Sequence, residues 1–237
     1  MKKFISLAIV AVISLLLAEA AGRLNANAQP QLLTGILNKM ERARLDLRSL
    51  KAEIILQKIN TQIDVTDTTF GQLIYKPSTK KSKQKLRVDY TKPSKDILAV
   101  NGDDYVFYQP QINQAIKGLA SKVSKGRQDS LAQIINIVLS GSLKSATDKY
   151  NITEVKDEMV NGAMTSVLRL TPKTKEQFTS IDIWVNQQSW IPVQFYTTER
   201  NGDLTKVTLK NQQLNAAVPD NAFDLKLPKQ TVIVDKL

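Results

Sequence analysis

Residues Gly71 to Pro110 read GQLIYKPSTKKSKQKLRVDYTKPSKDILAVNGDDYVFYQP, and they decide the fold class. Leu86, Val88 and Tyr90 alternate with Arg87 and Asp89, which is the period of a strand with one face buried. Strands are predicted over Thr69–Tyr75, Lys85–Tyr90, Asp96–Asn101 and Asp104–Tyr108. Asn101-Gly102 joins the last two, since both residue types tolerate the positive φ of a primed hairpin turn. Successive hairpins of this kind make an antiparallel meander.

The same pattern extends in both directions. Upstream lies a predicted strand over Leu50–Ile59, and downstream one over Gln114–Leu119. A second run covers Asn151–Lys156, Thr165–Leu170, Ser180–Val185, Pro192–Thr198 and Leu204–Gln212, with Asn161-Gly162 and Asn201-Gly202 as further hairpin signals. Ile181, Ile183 and Val185 alternate with Asp182 and Trp184, and Trp184 is expected on the outer surface or edge. Val106 with Tyr108 and Val193 with Phe195 are read as repeating the inward pattern.

Two segments have a helical period. In Pro30 to Leu50 a stripe of Leu33, Leu37, Met40, Ala43 and Leu47 predicts an amphipathic helix. Between the two strand runs, Asp129 or Ser130 can cap a short helix whose apolar face is Leu131, Ile134, Ile135, Val138 and Leu139. Its place in the middle of the strand series puts it across the sheet or inside a half-closed barrel. The apolar residues converging from one sheet face then allow either a filled core or an apolar ligand cavity under a lid.

The amino terminus reads as a secretory signal. Met1-Lys2-Lys3 is followed by an apolar run to Leu17, with small-x-small sites ending at Ala28 and at Ala20. Residues 1–28 are therefore expected to be cleaved, leaving 29–237 as one soluble domain. That removes Lys2, Lys3, Arg23 and Glu19, so the net charge falls from +11 to +9. Such a surface suits anionic headgroups or an acidic protein. Export and the lack of any nucleic-acid motif argue against a nucleic-acid partner.

The chain has no His and no Cys, which excludes a Ser-His-Asp triad, thiol nucleophiles and thiolate zinc sites. The missing Cys also excludes amino-terminal lipid attachment. Asp103-Asp104 follows the Asn-Gly turn, where Asp serves the backbone. No catalytic residue, metal or cofactor is expected, and the chain is read as not an enzyme.

Taken in order, GQLIYKP at 71–77, LRVDY at 86–90, ILAVNG at 97–102 and VFYQP at 106–110 resemble the LolA-type periplasmic lipoprotein carriers. LRLTP at 168–172, Phe178, the Asp203–Gln213 stretch and Phe223 extend the resemblance over about Pro30 to Val234. It implies a mainly β fold, an open, incomplete antiparallel barrel with an N-terminal helix and a short lid helix over an apolar cavity. It also implies a monomeric carrier of lipoprotein acyl chains in the periplasm. Such a carrier is loaded by an inner-membrane releasing transporter and unloaded by an outer-membrane acceptor. The cavity lining would be Leu73, Leu86, Val88, Tyr90, Val106, Tyr108, Ile181, Ile183, Val193 and Phe195. Lys76 falls where the family has an Arg that bonds lid-helix backbone oxygens, so it is the expected latch, a looser one for want of the guanidinium fork. Leu131, Ile134, Ile135 and Val138 would form the lid. A lipid or lipoprotein sensor of the RseB type, or a carrier of another lipid, is the alternative.

Overall fold

The computed structural model describes residues 31–120, 139 and 142–235. The signal segment and the four lid residues Leu131, Ile134, Ile135 and Val138 lie outside the described residues. Helix α1 covers residues 31–46, and its Ile36, Leu37 and Met40 are buried in the main core, so the predicted apolar stripe is its inner face.

Twelve strands follow: β1 Leu50–Asn60, β2 Val65–Lys76, β3 Lys85–Lys92, β4 Ile97–Asn101, β5 Asp104–Gln109, β6 Gln114–Leu119, β7 Tyr150–Val160, β8 Ala163–Pro172, β9 Phe178–Asn186, β10 Pro192–Glu199, β11 Leu204–Leu214 and β12 Val232–Asp235. A one-turn helix, α2, covers Leu143–Ala146. The first eleven strands are those expected from the alternation. Both meanders meet at the β1–β11 pair, so one open sheet runs β12-β6-β5-β4-β3-β2-β1-β11-β10-β9-β8-β7. Every pairing is antiparallel except β12 against β6. β6 and β7 stand at opposite ends of this order, with only β12 outside β6, so the connection between them links the two sides of the sheet.

The three Asn-Gly signals make three different turns. Asn161 and Gly162 both have positive φ, 50° and 78°, in a two-residue turn between Val160 and Ala163. At the β4–β5 turn Asn101 still pairs with Asp104, and Gly102 alone takes positive φ. At Asn201-Gly202 a three-residue loop ends on Gly202 at φ 87°, closed by Glu199 N donating to Asp203 O at 2.8 Å.

One sheet face carries the main core. The other carries two smaller features: a cluster of Val167, Trp184 and Val193 on β8–β10, and a C-terminal strap, residues 215–231, between β11 and β12. Trp184 packs edge-on against Tyr196 at 4.9 Å and its Nε1 donates to Glu158 Oε2 at 3.0 Å, the outer position expected for it. That bond, then the one from Lys156, holds the Glu158 carboxyl below its usual range. No helix among the described residues is long and apolar enough to cross a membrane.

Candidate functional site

Strand register assembles the inner wall. Leu50, Tyr75, Leu86, Val100 and Tyr105 share one row across β1–β5, and Ala52, Leu73, Val88, Leu98 and Phe107 the next. On the other side of β1, Leu56, Val207, Phe195, Ile183 and Leu168 continue across β11, β10, β9 and β8. Of the ten residues expected to line the interior, Leu73, Leu86, Val88, Ile181, Ile183 and Phe195 are fully buried in one cluster, and Tyr90 packs at its margin.

Three expected lining residues face elsewhere. On β5 the inward residues are Tyr105 and Phe107, opposite Val100 and Leu98, so Val106 and Tyr108 point to the strap side. On β10 a register shift between Pro192 and Gln194 turns Val193 into the outer cluster with Trp184.

Lys76 is also on the outer face. Its Nζ donates to Asp220 Oδ1 at 2.7 Å, with Lys85 Nζ 3.9 Å from the same oxygen. The bond from Lys76, its charge and that of Lys85 push the Asp220 carboxyl below the ordinary aspartate value. Tyr75, one residue earlier and inward, reaches the β6–β7 connection. Its buried hydroxyl donates to Leu139 O at 3.2 Å. Alternation from Leu73 marks Tyr75 as inward, a signal the sequence carried. Asp103 sits in the β4–β5 turn, ion-paired with Lys83.

The wall is covered by α1 and by Leu139 and Leu143, all in the same cluster. A gap of about 20 Å³, bounded by Met40, Leu47, Leu139, Leu143, Trp190 and Ile191, lies between α1 and the β9–β10 turn. That is room for about one water. Trp190 holds φ at 56° in this turn, fixed by its N–H to Asn186 O at 2.8 Å, and Lys39 of α1 lies 4.3 Å over its ring. Beyond Trp190 an open cleft of about 330 Å³ lies among Lys39, Arg42, Asp46, Ser189 and Leu214. On α1, Glu41 binds Arg44 at 2.6 Å and raises its pKa further. No group of three or more acidic side chains suited to a metal ion occurs among the described residues.

The described residues therefore form an apolar wall with a helical cover. A family model described as "Outer membrane lipoprotein carrier protein LolA" matches residues 46–226. An uncharacterized conserved protein from Thermus thermophilus has a similar structure, with TM-score 0.55 at 10% identity over 86% of this chain and 99% of that one. The Pseudomonas aeruginosa MucA/MucB complex gives TM-score 0.51 at 12% identity, over 84% of this chain and 63% of that one. A LolA superfamily protein from Nitrosomonas europaea gives 0.44 at 16% identity, over 81% and 97%. No protein of curated function matches by sequence.

Proposed function

This chain belongs to the LolA family, and on that premise we propose that it is a periplasmic carrier of acylated cargo. It shelters the acyl chains of a lipoprotein, or of another lipid, on the inner wall. It takes them from an inner-membrane transporter and yields them to an outer-membrane acceptor. The observation that carries this reading is the wall itself. Leu73, Leu86, Val88, Ile181, Ile183 and Phe195 form one apolar surface, packed beneath α1 together with Leu139 and Leu143.

Each sheltered CH₂ gains about 0.8 kcal/mol over water. A few acyl chains thus supply a gain large enough to compete with the packing of that cover. On this reading cargo enters as the cover moves aside.

The test uses Trp184→Phe, which leaves Trp190 as the only tryptophan, placed where α1 meets the β9–β10 turn. Residues 29–237 of this variant are titrated with a triacylated lipopeptide. Saturable change in Trp190 emission, reversed by a competing lipid, is the expected result. No change, with no lipopeptide co-eluting on gel filtration, overturns the carrier reading in favour of a permanently filled core. Uptake without transfer to acceptor membranes favours a sensor.

A further inference from the structure

The inner wall is apolar along β10 and β11 until one row. Thr197 on β10 pairs with Thr205 on β11 and with Ile181 on β9, and Thr205 pairs with Lys58 on β1. The row below it is Phe195, Val207, Ile183 and Leu56, all in the main core, so Thr197 and Thr205 occupy inward register positions. They are 4% and 2% exposed. Lys58 and, across the β1–β2 ladder, Asp67 are exposed, so the row is where the wall meets water.

Thr197 Oγ1 is the one buried side-chain nitrogen or oxygen among the described residues without a hydrogen-bond partner. Valine has the same shape and carries no such cost, whereas a buried hydroxyl left unbonded is destabilising. Hydroxyls placed at the boundary between an apolar wall and water match one feature of an amphiphile, the carbonyl at the head of each acyl chain. From Thr205 to Leu214, β11 rises about 30 Å, enough for a long acyl chain lying along the strand.

We propose that the Thr197 hydroxyl, with Thr205 beside it, donates to the ester carbonyl of a bound acyl chain. The hydrocarbon then lies over Phe195, Ile183 and Val207, and the headgroup emerges by Lys58. This rests on the carrier reading and adds the ligand's chemistry: an ester-linked chain is chosen over an ether-linked one.

The experiment compares a diacyl phosphatidylglycerol, its dialkyl ether counterpart of equal chain length and a diacylglyceryl lipopeptide, each by dissociation constant. One hydrogen bond corresponds to a preference for ester over ether of roughly three- to tenfold. Thr197→Val is expected to abolish that ratio, leave ether affinity unchanged and raise the Tm of the cargo-free protein. Thr197→Ser, which keeps the hydroxyl, is expected to retain the ratio. An ester-to-ether ratio near one, or a ratio that survives Thr197→Val, overturns the contact and leaves an ordered water as the partner of Thr197. Binding of no probe overturns the carrier reading as well, which separates the two failures. The tighter of lipopeptide and phospholipid identifies the source of the ester, and either supports the contact if Thr197→Val weakens it by the same factor.

Discussion

Gly71 has no room for a side chain: a Cβ there would sit 2.7 Å from Asp89 O. It occupies the inward row with Ile54 and Tyr90, beside a register shift in the β2–β3 ladder. Because the obstacle is backbone, Gly71→Ala is expected to push β3 away and destabilise the fold by about 1–3 kcal/mol. The check is a lower urea midpoint at unchanged slope. At this scale the sequence was legible where one face is wet. Leu86, Val88, Ile181 and Ile183 alternate with charged or polar residues, and all four are in the core. Tyr105 to Tyr108 offer no such contrast, because the outer side of this half of the sheet is covered as well, and four β-forming residues in a row hide which two face inward. Val193 carries no mark of the register shift that turns it outward.

The strap between β11 and β12 is the element with the most specific polar anchorage. Arg87 forks onto Asp89 at 2.9–3.0 Å and also donates to Ala222 O at 3.2 Å and Asp224 O at 3.3 Å. Phe223 is 1% exposed, with the ammonium groups of Lys76 and Lys85 each 6.0 Å from its ring. Asp220 titrates lower in the folded chain than in the unfolded one. Its contribution is therefore complete above the unfolded value of about 4 and is lost as pH falls through the folded value. Asp220→Asn should accordingly show a shallower fall in Tm than the parent as pH falls below about 4, and little change in slope at pH 5 to 7. An identical fall in both would place the acid sensitivity elsewhere. The strap escaped the sequence reading for a physical reason. β12 has four residues, pairs parallel to β6 and follows a long irregular segment, so neither length, hairpin nor alternation announces it.

For the whole molecule the decisive fact is the order of the sheet. Because β6 and β7 stand on opposite sides of it, their connection has to pass from one side to the other, and Leu139 and Leu143 of that connection lie in the core with α1. The resemblance to the LolA carriers led to Lys76 as the latch on this cover, but alternation puts Lys76 outside and Tyr75 inside, where its hydroxyl meets Leu139 O. A carrier needs its cover closed only by a small margin, since the apparent affinity for cargo is the intrinsic affinity scaled by the open fraction. Tyr75→Phe removes the bond to Leu139 O from the closed form, about 1 kcal/mol. If the closed form predominates, the open fraction rises roughly fivefold. Tyr75→Phe is therefore expected to lower the Tm of the cargo-free protein while tightening its apparent affinity for a lipopeptide by up to that factor. A tyrosine that merely packed in the core would give the opposite pairing, with lower Tm and equal or weaker binding. Measuring both quantities on the same variant distinguishes a latch from a core residue.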